Sequence, residues 1–125
     1  MNGIPSRANN LEKRLISFAA SIVVLSSKLP KSPQGRDISG QILRSGTAAA
    51  ANYGEARGAE SRADFIHKLK VVFKELNETT IGLELIGESS LLSAENIVAI
   101  VAENRELCRI VAASIKTARA GESGN

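Results

Sequence analysis

Residues 43–86 read LRSGTAAAANYGEARGAESRADFIHKLKVVFKELNETTIGLELI, and this stretch decides the fold. On both sides of a short polar turn at 57–60, apolar or small residues recur at alternating spacings of four and three. They are Ser45, Ala49, Asn52 and Ala56 before the turn, and Phe65, Leu69, Val72, Leu76, Thr79, Leu83 and Ile86 after it. A repeat of about 3.5 residues is the seam of a helix that packs lengthwise against a neighbour. The stretch therefore predicts two antiparallel helices.

The flanking sequence adds one helix on each side, with recognisable start and stop signals. Asn9 with Glu12 reads as a capping box for a first helix, and Pro30 ends it. Ser32 before Pro33, Ser61 and Ser93 read as the N-caps of the next three helices. The predicted helices span about 10–29, 33–57, 61–88 and 93–119. Short connections make sequential helices antiparallel, so we expect one all-α domain, an up-down-up-down antiparallel four-helix bundle.

Composition narrows the class of protein. The chain of 125 residues is 43% hydrophobic and 23% charged, with no Trp and a single cysteine, Cys108. One cysteine excludes an intramolecular disulfide and a zinc site built on four thiolates. The longest uncharged apolar stretch, 15–27, is shorter than the roughly 20 residues that cross a bilayer. We expect a cytoplasmic protein with no membrane contact.

Catalytic signals are weak. His67 is the only histidine, and Asp64 lies one turn before it, but no third group that would orient a nucleophile is evident. Di-iron bundle sites need a Glu-x-x-His from each of two helices, which one histidine cannot supply. We expect no enzymatic activity, no cofactor and no metal, and keep a metal-binding bundle enzyme as an alternative that metal analysis of the purified protein would test.

The central stretch resembles the bacterial four-helix bundle protein family, which includes proteins encoded in intervening sequences of 23S ribosomal RNA genes. The matching pieces are the runs at 44–47, 51–53, 55–56, 63–69, 74–75, 78–79 and 83–85, with Ser61, and the approach through 29–31 and Gln41. The chain is also similar to the accessory variability proteins of diversity-generating retroelements. It departs from the family at Ala48, where Ser is usual, and at Gly82, where an aromatic residue is frequent.

The resemblance implies a non-catalytic bundle that assembles into a homopentamer. The similarity to the retroelement accessory proteins also implies that the protein acts together with a reverse transcriptase and with nucleic acid. Small residues on the second helix, Gly46 and 48–51, would let another backbone approach closely, which favours a homo-oligomer. We expect an oligomeric scaffold whose partners are RNA or DNA, or a protein that handles them such as a reverse transcriptase. A protein-only adaptor without nucleic-acid binding is the alternative.

Polar residues interrupt the second and third helices at positions that favour a structural role. They are Arg44, Asn52, Glu55, Lys74, Glu75 and Glu78. Asn52 and Glu55 share a helix face, and an antiparallel third helix would bring Lys74 or Glu75 near them. We interpret the set as a buried or interface polar network that fixes register, with a ligand or nucleic-acid contact as the other interpretation.

Charge is unevenly distributed along the chain. Residues 1–57 hold eight basic and three acidic residues, whereas residues 75–106 hold one basic and seven acidic residues. The predicted topology gathers basic residues at the end of the bundle that holds the start of helix one, the turn between helices two and three, and the end of helix four. We call this the basic end; its candidate nucleic-acid-binding residues are Arg7, Lys13, Arg14, Arg57, Arg62, Lys68, Lys116 and Arg119. Aromatic residues for base stacking are expected to be absent there, so we expect contacts to phosphates.

Overall fold

The computed structural model describes residues 6–123, and it is an all-α four-helix bundle. The helices are α1 (Arg7–Lys28), α2 (Pro33–Arg57), α3 (Arg62–Glu88) and α4 (Ala94–Ser123). Two contacts show that α1 and α2 are antiparallel. Arg57, at the end of α2, donates to Glu12 near the start of α1, and Ser39, near the start of α2, donates to the Ser26 carbonyl near the end of α1. Each helix packs on its neighbours in sequence, and α1 closes the bundle against α4. Among the described helices that pack together, α1 and α4 make the fewest contacts with each other.

The helix starts follow the predicted capping chemistry, with one shift. Ser32 Oγ accepts the Gly35 amide at 3.1 Å, and Ser61 Oγ accepts the Asp64 amide at 3.0 Å. The predicted cap at Asn9 is wrong: Ser6 Oγ accepts the Asn9 amide at 3.0 Å, so α1 begins at Arg7. A serine hydroxyl three residues upstream satisfies an otherwise unpaired helix amide, and this extends the helix by about one turn.

The end of α4 also lies beyond its predicted position. The helix continues through Gly121 to Ser123 instead of ending at residue 119. Arg62, at the start of α3, donates a hydrogen bond from Nη1 to the Ala118 carbonyl at 3.4 Å. This contact holds the last turns of α4 against α3. It joins residues 56 apart, so the helical repeat of the sequence could not predict it.

The core follows the predicted seams on α1, α2 and α3. Leu15, Ile22, Ile42, Leu69 and Leu76 are almost completely buried. On α4 the spacing of four and three runs through positions 97, 101, 104, 108 and 111, and all but Asn104 are apolar or cysteine. Asn104, Leu107 and Val111 are almost completely buried, whereas Cys108 is half-buried. The gap in the α4 apolar pattern at position 104 is therefore occupied by a buried amide.

Two glycines allow close helix approach inside the bundle. Gly46 lies against the side chain of Ile22 on α1, and a Cβ at Gly82 would collide with Ile42 on α2. An aromatic residue at position 82 would require the Ile42 side chain to move. Gly46 and Ala49 are buried within this protomer, so part of the small-residue face predicted to pack on another copy is used internally.

Candidate nucleic-acid interface

The fold brings Arg7, Arg57, Arg62, Lys116 and Arg119 to one end of the bundle. The start of α1, the α2–α3 turn and the end of α4 meet there, because sequential helices are antiparallel. Arg14 lies nearer the middle, because it reaches Glu103, which is twenty residues before the end of α4. Three of the eight candidate basic residues form ion pairs between helices: Arg14 with Glu103, Arg57 with Glu12 at 2.7 Å, and Lys68 with Glu55 at 2.8 Å. These three side chains are held against carboxylates.

The Arg14–Glu103 pair joins α1 to α4, the two neighbouring helices with the fewest contacts to each other. Two of the three guanidinium nitrogens donate to the carboxylate, Nε at 2.9 Å and Nη2 at 2.8 Å. The hydrogen bond from Arg14 to Glu103 raises the pKa of the guanidinium, while partial burial lowers it. The pair orients the two helices, although its exposure limits its contribution to stability to about 1 kcal/mol or less.

The other five cations of the set differ in their contacts. Within residues 6–123, Arg7, Lys13 and Lys116 form no ion pair, and all three are exposed. Arg62 is exposed and bonded to the Ala118 carbonyl, and Arg119 is exposed at the end of α4. Arg109, which the sequence reasoning missed, lies on the same part of α4 and pairs with Glu106 through two hydrogen bonds.

The predicted polar network divides into two groups along the α2–α3 groove. Glu55 pairs with Lys68 and not with Lys74 or Glu75, because Ser45 lies opposite Thr79 and this register places Glu55 beside residue 68. The second group is Arg44 with Glu75 and Glu78, about 16 Å away along the helix axis. Arg44, Glu55, Lys74 and Glu78 are exposed; only Asn52 and Glu75 are half-buried.

Within the second group, Glu75 has a perturbed carboxyl. Burial raises its pKa above the ordinary value, and the hydrogen bond and charge of Glu78 raise it further, whereas Lys74 and Arg44 lower it. Asn52 donates from Nδ2 to the Ala48 carbonyl of its own helix at 2.9 Å, so its amide does not cross to α3.

The buried polar contacts lie elsewhere in the bundle. Ser45 and Thr79 share a hydrogen bond of 2.7 Å between α2 and α3. Asn104 donates from Nδ2 to Thr80 Oγ1 at 2.5 Å and to the Leu76 carbonyl at 3.3 Å, between α4 and α3. The seam spacing had included Ser45 and Thr79, but Asn104 was missed; its signal is the gap at position 104 in the α4 repeat.

Residues considered for catalysis are not assembled into a site. In the described part of the chain, no three His, Cys, Asp or Glu side chains lie close enough together to hold a metal ion. His67 is exposed near the start of α3. Burial raises the pKa of the Cys108 thiol, which lies 3.8 Å from Asn77 Oδ1. Across residues 6–123, no helix is both long and apolar enough to cross a membrane.

A cavity of about 890 Å³ opens at the basic end, between the starts of α1 and α3, the end of α2 and the later turns of α4. Arg7, Arg57, Arg62 and Arg109 lie around it, and Leu11, Tyr53, Phe65 and Ile110 contribute apolar surface. The α4 side is lined by small residues, Ala113, Ser114, Thr117 and Ala118, which leave the space open. Tyr53 is 4% exposed, and burial raises the pKa of its phenol.

Comparison with known proteins places this bundle in a family. The family model described as 23S rRNA-intervening sequence protein matches residues 8–113, from the first turn of α1 well into α4. The chain belongs to this family. A solved structure agrees: a protein of unknown function from the S23 ribosomal protein family of Bacteroides thetaiotaomicron is 38% identical, with a TM-score of 0.80. The match covers 85% of this chain and 98% of that one. No curated protein matches the chain significantly.

Family membership confirms the resemblance to the proteins of 23S rRNA intervening sequences. The Bacteroides structure shares the fold over nearly all of its length. Neither description names a catalytic activity. The departure at Gly82 has a structural correlate here, since Ile42 packs where a side chain at position 82 would lie.

Proposed function

We propose that this protein is a non-catalytic scaffold that binds nucleic acid through the phosphate backbone at its basic end. The observation that carries the proposal is the convergence of basic residues from all four helices at one end of the bundle. Arg7, Lys13 and Lys116 are exposed and form no ion pair within the described residues, so their charges remain available to an anion. The family description, which refers to ribosomal RNA genes, is consistent with an RNA partner.

Phosphate binding predicts a characteristic salt dependence. Each phosphate that a cation neutralises releases condensed counterions, so the logarithm of affinity falls linearly with the logarithm of salt concentration. Removing one contact to duplex makes the slope shallower by about 0.9. The cations paired with Glu12, Glu55 and Glu103 must break these ion pairs before they can bind a phosphate. They are therefore weaker contributors than the three cations without an ion pair.

The test is a salt series of fluorescence anisotropy titrations with a duplex RNA and a duplex DNA of unrelated sequence. The test variant replaces Arg7, Lys13 and Lys116 with Gln. Its matched control removes the same charge from the opposite end by replacing Lys28, Lys31 and Arg36 with Gln. We expect the test variant to lose affinity on both duplexes with a shallower salt slope, and the control to retain the wild-type slope.

Two results would overturn the proposal. Wild-type protein that binds neither duplex at about 50 mM salt, where phosphate contacts are strong, has no such function. Equal effects of the two triple variants would mean that net charge, and not the basic end, attracts nucleic acid. In the first case the protein-only adaptor would take its place, with a nucleic-acid-handling protein such as a reverse transcriptase as the partner to test by co-purification. In the second case nucleic-acid binding would remain but could not be assigned to the basic end.

The proposed scaffold is a homo-oligomer. Large apolar side chains remain exposed on the single bundle, among them Ile16 (56%), Ile81 (58%) and Val98 (64%). A contiguous apolar patch marks an interaction surface, and the proposal assigns these side chains to the contacts between copies. Light scattering at micromolar concentration should give a multiple of the 13.2 kDa chain mass, with five copies expected from the family resemblance. A monomer at that concentration contradicts self-assembly, and any other multiple contradicts the pentamer.

A further inference from the structure

We propose that the cavity at the basic end binds an amphipathic carboxylate, an alkyl chain that ends in a carboxyl group. This function is separate from phosphate-backbone binding, because it depends on the apolar interior of the cavity and not only on surface cations. The volume of about 890 Å³ lies within the range of small-molecule pockets.

The charge around the cavity is of one sign. Four of the lining residues are arginines, and none of the described residues that line it is Asp or Glu. Arg57 forms an ion pair with Glu12, and Arg109 forms one with Glu106; neither glutamate lines the cavity. Arg7 forms no ion pair in the described chain, and Arg62 bonds a backbone carbonyl through Nη1 only. A guanidinium has five N–H donors, so both can still donate to a carboxylate.

The interior of the cavity suits an alkyl chain. Leu11, Phe65 and Ile110 provide apolar walls, and Ala113 and Ala118 leave room between them. Apolar surface that faces water at this position is removed from water when an alkyl chain enters, and this burial is favourable. The arrangement combines an apolar interior with an arginine rim, and it matches a ligand that is apolar at one end and anionic at the other.

The experiment is isothermal titration of the full chain with decanoate below its micellar concentration, with octanoate and decanol as comparison probes. Decanoate should bind saturably and roughly tenfold more tightly than octanoate, since two methylenes fewer are buried. Decanol should bind more weakly than decanoate because it lacks the charge. No saturable heat with decanoate, or equal affinity for decanoate and octanoate, would overturn the proposal.

Paired variants locate the binding site. Ala113→Phe fills the cavity, whereas Ala112→Phe places the same ring about 100° around α4 on a residue outside the lining. We expect decanoate binding to be lost in the first and retained in the second, with helical circular dichroism and the unfolding midpoint confirming that both fold. If both variants bind decanoate as the wild type does, the ligand lies elsewhere and the proposal is wrong.

A second pair tests the rim. Arg7→Gln should weaken decanoate binding about tenfold, the effect of one charge-assisted hydrogen bond, while Lys13→Gln on the same helix should leave it unchanged. Equal weakening by both would show general attraction to positive charge and would overturn the assignment of the carboxylate to the arginine rim. Decanoate binding and duplex binding are measured separately, so either proposal can fail alone.

Discussion

Replacing Asn104 with Leu should stabilise the bundle. Asn104 is 2% exposed, and its Oδ1 has no hydrogen-bond partner within the described structure. Its Nδ2 donates to Thr80 Oγ1 and to the Leu76 carbonyl, but the Thr80 hydroxyl also donates to that carbonyl at 3.1 Å. Removing the Asn104 amide therefore leaves no buried polar group without a partner.

The opposing contributions are of similar size. A buried acceptor without a partner costs about 1–3 kcal/mol, so its removal is favourable by that amount. Burying a leucine side chain contributes about 1.5–3 kcal/mol. Against this stand the lost hydrogen bond from Nδ2 to Thr80 Oγ1, about 0.5–1.5 kcal/mol, and strain from the larger side chain, about 1–3 kcal/mol. The second bond of Nδ2, to the Leu76 carbonyl, is long at 3.3 Å and contributes little. The free energy of unfolding should rise by about 1 kcal/mol.

The assay is urea unfolding followed by circular dichroism, at several protein concentrations because assembly would couple to stability. Asn104→Leu should raise the urea midpoint without changing the slope m. Asn104→Asp is the contrasting variant: it places a carboxylate in the buried site and should destabilise strongly at pH 7. A loss of 1 kcal/mol or more in Asn104→Leu would refute the reasoning, because it would mean that the Asn104 amide is satisfied and stabilises the α3–α4 pair.

Two further predictions concern the α2–α3 pair. Glu75→Gln should raise the unfolding midpoint at pH 7 and have little effect below pH 4. The pKa of Glu75 is raised in the folded protein, so the folded protein holds this proton more tightly than the unfolded chain does. The wild type therefore loses stability as the pH rises above the ordinary glutamate pKa of about 4.3. Thermal melts across that range check the sign, and a variant midpoint below wild type at pH 7 would contradict it. Gly82→Ala should lower the free energy of unfolding by about 1–3 kcal/mol, since its Cβ meets Ile42. In an Ile42→Ala background, which removes the Cγ2 atom that the new Cβ would meet, Gly82→Ala should cost much less in chemical denaturation.

The polar residues show where sequence reasoning reached its limit. Asn52 and Asn104 both stand at seam positions of their helices, but only Asn104 is fully buried and reaches across to a neighbouring helix. Asn52 stays half-buried and bonds its own helix at Ala48. The helical period places both side chains on the bundle side, whereas burial depends on the size of the residues on the facing helix.

The sequence by itself determined the four helices, most of their caps and the antiparallel order, because these depend on residues three or four apart and on short connections. Only the tertiary structure decided which basic side chains pair with carboxylates, which amide oxygen is buried without a hydrogen-bond donor, and where a cavity opens. The ion pair of Arg14 with Glu103 joins residues 89 apart. Such contacts depend on helix register and side-chain volume across the bundle, and the small residues of α4 leave a cavity open only where they face the starts of α1 and α3.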